Sequence, residues 1–206
     1  MRCYGHDLSE LMIGGLEQKI YLLRHGETEW SRSGKHTGVT DVPLTELGRS
    51  SARQLQPVLA SETFALVLSS PRARARETCE LAGLGSQLQL ETDLVEWNYG
   101  EYEGLTTKQI QQARPGWSVF RDGCPGGEMP EQVAARADRV LAKVRSTTGN
   151  VALFAHGHIL RVLAARWIDL PVGYGERLLL DTATLNVLGY YYDSTAIKIW
   201  NAPIVR

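Results

Sequence analysis

Cysteine is scarce in this chain. Cys3, Cys79 and Cys124 are too widely spaced for a disulfide framework or a zinc site, and their odd number points to a reducing compartment. Long apolar runs are missing as well: none approaches the roughly 20 residues of a membrane-spanning helix, so no membrane partner is expected. Residues 1–18 hold only the patch Leu11-Met12-Ile13, broken by Gly14-Gly15 and flanked by acids. A secretory signal has a basic start and a longer apolar centre. The segment reads instead as an N-terminal extension, with Met12 an alternative start, and the cytoplasm is the expected location. Neither sign of charge is in excess: the formal net charge of −1 gives no reason to expect nucleic acid. There is also no linker, repeat or low-complexity stretch. A chain of 206 residues then reads as one domain over 19–206, with homo-oligomerisation left open.

What is present is an alternation of strand and helix patterns. Lys19-Ile-Tyr-Leu-Leu-Arg24-His25-Gly26-Glu27-Thr28 is an apolar strand that stops at Arg-His-Gly. Residues 27–43, with Gly34, Gly38 and Pro43, read as a loop. Thr45 caps a helix carrying Leu47, Ala52, Leu55 and Leu59, and residues 64–68 form a second buried strand. Ser69-Ser70-Pro71 then starts a helix, serine capping its amides and proline suiting the first turn. A short strand over 88–90 and helices over 106–113 and 131–144 follow. Val151-Ala-Leu-Phe-Ala155 is another apolar strand, ending in His156-Gly157-His158 ahead of a helix over 159–168. Runs at 184–192 and 195–200, joined by Asp193-Ser194, close the chain as a hairpin. This order predicts an α/β domain with a mainly parallel sheet covered on both faces.

Ligands in open α/β sheets bind beyond the carboxyl ends of strands, where Arg24-His25 and His156 both fall. A lone histidine at a strand end is more often a packing residue, but the repeated placement suggests one shared site. A neutral imidazole can take up a phosphoryl group, and a neighbouring guanidinium forks onto phosphate oxygens without losing its charge. Gly26 would let backbone approach the ligand. In Arg72-Ala-Arg74-Ala-Arg76, helical spacing puts Arg72 and Arg76 on one face and Arg74 with Thr78 on the other. Only one of these faces can look into the site, and the other is solvated. Glu96 follows the apolar pair Leu94-Val95, so burial would favour its protonated form and a proton-donor role. Glu101 and Glu103 look like surface acids. His158 and Arg161 fall in the first turns of the helix after His156, whose free amides suit an anion. A zinc site on His25, His156 and His158 is the rival reading, opposed by the crowding arginines and the want of acidic or cysteine ligands at suitable spacing.

Arg24-His25-Gly26-Glu27-Thr28, Arg74-Ala75-x-x-Thr78, Glu96-x-x-Tyr99-Gly100 and His156-Gly157-x-x-Leu160-Arg161 stand in the order found in the histidine phosphatase (phosphoglycerate mutase-like) superfamily, which residues 20–167 resemble. The resemblance implies a three-layer α/β/α sandwich and catalysis without metal or other cofactor. It also implies that His25 is the phosphorylated nucleophile, that Arg24, Arg74 and His156 form the phosphate pocket, and that Glu96 is the proton donor. Trp30-Ser31 and Glu96-Trp-Asn-Tyr-Gly depart from the glycolytic mutases. Thr28-Glu-Trp-Ser31, His36-Thr-Gly38 and Arg121-Asp-Gly-Cys124 are instead similar to the sedoheptulose-1,7-bisphosphatases and related phosphatases. In that group Ser31, Thr37, Gly38, His158 and Arg161 would be substrate-side contacts. The expected function is therefore hydrolysis of a small phosphorylated metabolite, a sugar phosphate or bisphosphate. A phosphoglycerate mutase and a non-catalytic binder of phosphorylated ligands are the alternatives.

Overall fold

The computed structural model describes residues 18–204; residues 1–17 and 205–206, and with them nearly all of the expected extension, lie outside the described residues. Gln18 itself belongs to the domain, its side-chain amide donating to the carbonyls of Val144 (3.0 Å) and Thr147 (2.7 Å).

In chain order the elements are β1 (Ile20–Arg24), α1 (Glu29–Arg32), α2 (Glu46–Gln54), α3 (Gln56–Leu59), β2 (Phe64–Ser69), α4 (Ala73–Leu81), β3 (Leu88–Leu90), α5 (Thr107–Ala113), α6 (Val119–Asp122), α7 (Pro130–Arg145), β4 (Asn150–Ala155), α8 (Gly157–Trp167), β5 (Leu185–Tyr191) and β6 (Ser194–Ala202). The strands form one sheet in the order β3-β2-β4-β1-β5-β6. The first four run parallel, and β5 and β6 close one edge antiparallel.

Strand residues alternate between two cores because successive side chains leave opposite faces of a strand. Ile20, Leu22, Val151 and Leu153 pack under α7 and α8, with Val140, Leu163 and Trp167. Tyr21, Leu23, Ala152 and Phe154 pack against α2, α3 and α4, with Leu55, Leu59 and Cys79. The result is the expected three-layer α/β/α sandwich. No helix among the described residues is long and apolar enough to cross a membrane.

Three local expectations are corrected. The loop after β1 contains a helical turn, α1, because Thr28 and Ser31 cap each other in a reciprocal box. The serines before α4 do not cap it. Arg72 is the cap residue in extended conformation, and the free amide of Ala73 is taken by the Asp41 carboxylate (3.1 Å) from a distant loop. The closing hairpin turns at Tyr192-Asp193, since Tyr191 pairs with Ser194 and Tyr192 adopts φ +52°.

Candidate active site

β4 lies between β1 and β2, so the carboxyl ends of three adjacent parallel strands meet at one edge. β1 delivers Arg24 and His25, β4 delivers His156, and β2 leads through Ser70 to Arg72 and Arg74. His25 is buried, and its Nδ1 donates to the carbonyl of Gly26 (2.7 Å). That bond places the ring proton on Nδ1 and leaves the Nε2 lone pair unengaged. Burial, reinforced by the positive charges of Arg74 and Arg24, holds the imidazole pKa well below its usual range, so the ring is neutral at pH 7. Gly26 serves packing and not ligand approach: a Cβ there would stand 2.4 Å from the Gly48 carbonyl oxygen, where the loop crosses α2.

His156 is fully buried and N-caps α8 in extended conformation. Its Nε2 pairs with Ser70 Oγ (2.8 Å), which also accepts from the Arg72 amide (3.3 Å). With the serine proton directed to Nε2, His156 carries its own proton on Nδ1. Burial first, then the charge of Arg74, depresses this pKa too. The two histidine rings meet edge to face, 5.2 Å apart.

Arg74 is wholly buried and anchors the loop after α1, donating to the carbonyls of Thr40 (2.9 Å), Thr37 (3.0 Å) and Gly38 (3.3 Å). Thr78, one turn on, donates to the Arg74 carbonyl (2.7 Å) and accepts from the Gly26 amide (3.0 Å). Arg24 donates to the Leu180 carbonyl (2.5 Å).

Four buried side-chain nitrogens among the described residues have no partner: Arg24 Nε, Arg72 Nε, Arg74 Nε and His156 Nδ1. All belong to this edge, where Arg24, Arg72 and Arg74 act together on His156. A buried donor left unpaired costs about 1–3 kcal/mol, so four in one place are a strong demand for acceptor oxygens. A tetrahedral oxyanion supplies them. Arg72 was placed on the opposite face from Arg74 by helical spacing. Because α4 begins only at Ala73, Arg72 is extended, and that spacing does not apply. Arg76 is exposed, as a solvated helix face requires.

Glu96 is buried across the cavity, but not alone. Its Oε1 accepts from the amides of Trp97 and Ile159, and its Oε2 from that of His158, each at 3.0 Å. The last two are free amides at the start of α8. The loop carrying Glu96 is clamped from behind. Glu128 accepts from the Asn98 amide (2.8 Å) and from Arg136 (2.9 Å), whose guanidinium also reaches the carbonyls of Asp93 and Val95.

His158 Nδ1 pairs with the buried Tyr99 hydroxyl (2.5 Å), and the ring stands 3.8 Å from Glu96 Oε2. Burial raises the tyrosine pKa well above 10 and, with the charge of Arg161 adding to it, lowers that of His158 well below 6.5. A neutral Tyr99 donating to Nδ1 leaves a proton on His158 Nε2. Ser31, Thr37, His158 and Arg161 line a cavity of about 210 Å³ with Arg24, His25, Lys35, His36 and Glu96. Gly38 lies behind this lining, its amide bound by Glu103 (3.0 Å), and a Cβ there would meet the Trp97 carbonyl at 2.4 Å. Glu103 is thus a loop anchor and not a surface acid. Arg72, Ser70 and Tyr99 are the site members that spacing missed.

The described residues contain no group of three or more His, Cys, Asp and Glu placed to hold a metal ion.

The sequence matches the model of the histidine phosphatase superfamily, branch 1, over residues 20–203. It is 41% identical to an acid phosphatase of Mycobacterium tuberculosis, over 91% of this chain and 94% of that protein. It is 33% identical to the sedoheptulose 1,7-bisphosphatase of Saccharomyces cerevisiae, over 76% of this chain and 70% of that enzyme. The solved structure of an open reading frame product of Mycobacterium tuberculosis superposes with a TM-score of 0.87 at 37% identity, covering 91% of this chain and 99% of that one. The match spans the whole described sheet and both His-Gly strand ends: the chain belongs to branch 1 of the histidine phosphatase superfamily and is a phosphatase.

Proposed function

We propose that the protein hydrolyses a small phosphorylated metabolite, a sugar phosphate or bisphosphate, through a phosphohistidine on His25. The observation that carries this reading is the set of four unpartnered buried nitrogens at the strand edge that also holds a neutral imidazole whose Nε2 is unengaged. The names of the relatives, one an acid phosphatase and one a sugar bisphosphatase, support the substrate class.

In the first step His25 Nε2 attacks phosphorus in line and the P–O bond to the alcohol breaks. Arg24, Arg72, Arg74 and His156 Nδ1–H neutralise the oxygens as charge moves onto them. Glu96 Oε2, which accepts only one amide, has a lone pair left for the proton that the departing alkoxide needs. In the second step Glu96 takes a proton from water, the hydroxide attacks phosphorus and the N–P bond breaks, restoring neutral His25. Ser31, Thr37, His158 and Arg161, which line the cavity beside His25, contact the substrate around the scissile ester bond.

Trapping the enzyme with a phosphate-labelled sugar phosphate tests the proposal. The expected label is acid-labile and absent from His25→Ala. A label that survives this substitution, or resists acid as a phosphoserine does, refutes it. Phosphate release without added bisphosphoglycerate separates hydrolysis from a mutase reaction.

A further inference from the structure

Beside the phosphate cavity lies a second chamber of about 170 Å³, and the two adjoin across His36, Thr107 and His158, which line both. Their electrostatics differ. Arg24, Lys35 and Arg161 line the first, with Arg72 and Arg74 behind it. No lysine or arginine among the described residues lines the second, whose charged group is Glu176. Arg161, standing between them, commits Nε and Nη2 to the carbonyls of Gly175 (2.9 Å) and Glu176 (2.8 Å) and lies over the Phe120 ring at 4.6 Å. Arg121 reaches Glu176 (3.3 Å) and the Gly116 carbonyl (2.7 Å). The two imidazoles of the shared wall add no positive charge at neutral pH: His36 has its pKa lowered to about 4 by burial, and that of His158 is well below 6.5.

The rest of the chamber combines apolar surface with short polar groups. Trp117 and Phe120 form one wall, while Gln111, Ser118 and Thr107 offer hydrogen-bonding groups. An anionic group placed here would lose water and find no cation in the lining, only a carboxylate that Arg121 already pairs. A ring bearing hydroxyl groups would find apolar surface for its C–H faces and polar atoms for its edges.

We infer that this chamber receives the uncharged, hydroxyl-bearing body of the leaving alcohol, so that the preferred substrates are phosphomonoesters with no second anionic group at their far end. The inference rests on the phosphatase reading above and narrows it, disfavouring bisphosphates. Sugar ring and scissile phosphate then occupy adjoining compartments, and His158 and His36 form the wall between them.

The test compares kcat/KM for matched pairs on the full chain: fructose 6-phosphate with fructose 1,6-bisphosphate, and sedoheptulose 7-phosphate with the 1,7-bisphosphate. The monophosphate of each pair is expected to lead by about tenfold or more. Glu176→Lys is expected to shift that ratio toward the bisphosphates by roughly tenfold. Ser118→Ala should raise KM for the monophosphates several-fold while leaving kcat unchanged. Equal or better use of bisphosphates by the unmodified protein overturns the inference, as does a ratio unmoved by Glu176→Lys in a folded variant. In either case, acid-labile labelling of His25 would leave the phosphatase reading standing. Absence of that label and of phosphate release from every ester would sink both.

Discussion

The chain ends two neighbouring strands with the same dipeptide and makes different tools of them. After β1, the His25 ring makes one hydrogen bond, to the carbonyl of its own neighbour, and its Nε2 stays unengaged. After β4, His156 is gripped by Ser70 and passes directly into α8, with Nδ1 the unpartnered nitrogen. One ring is thus arranged as a lone-pair donor and the other as a proton donor. The glycines differ in the same way. A Cβ on Gly26 would strike backbone, 2.4 Å from the Gly48 oxygen, whereas one on Gly157 would make ordinary contact with the Arg24 guanidinium at 3.4 Å. Side-chain type alone therefore does not assign a role. The partners supplied by neighbouring elements do.

The contrast is easiest to break at the rings. His25→Ala is expected to lower phosphate release by at least about 10⁴-fold, since loss of a nucleophile removes the covalent route. His156→Ala should cost less, on the order of 10²–10³-fold, as for removal of one donor to developing negative charge. It should leave the His25 label detectable in a quench experiment. Equal losses, or no label in the His156 variant, would mean that the two rings act as one unit.

What the two histidines share is also testable, because both are held neutral. Their folded pKa values, like that of His36 at about 4, lie below the unfolded value near 6.5. Between those values the unfolded chain binds more protons than the folded one, so stability is present above pH 6.5 and falls as pH drops toward 4. His36 alone would contribute a loss of about 3 kcal/mol across that window. Urea midpoints at pH 7.5 and 4.5 measure the loss, and it should shrink in His36→Gln. A flat profile would mean that these rings take up protons without unfolding.

The smallest effect separates the glycines. Gly26→Ala is expected to destabilise the fold by about 1–3 kcal/mol, through backbone displacement at α2. Gly157→Ala should shift stability by no more than about 0.5 kcal/mol and act mainly on KM. Paired thermal melts decide, and similar Tm values for the two would remove the distinction.

Much of this was legible along the chain. The alternation of apolar runs with helical spacing gave the α/β class, and strand-ending Arg24-His25 and His156 marked the working edge. Thr45 announced its helix, because a cap acts within one turn of the chain and depends on little else. Other features were not legible. Asp41 capping α4, Glu103 binding the Gly38 amide and Glu128 clamping the Glu96 loop all join residues more than 25 apart in sequence. Arg72 was misplaced for a related reason: its position depended on a helix start that Asp41, not the local serines, defines. Burial of Glu96 was expected, but not the three amides that come with it, two of them from α8.

The sequence by itself determined which chemistry the edge could carry. Reactive residue types and strand periodicity are properties of short segments, readable wherever the segment finally lies. Tertiary structure alone decided the division of labour, by placing β4 between β1 and β2. That order sets Ser70 against His156, α8 against Glu96, and three arginines around one buried point. Each arrangement depends on distances between groups remote in the chain, which no local spacing encodes.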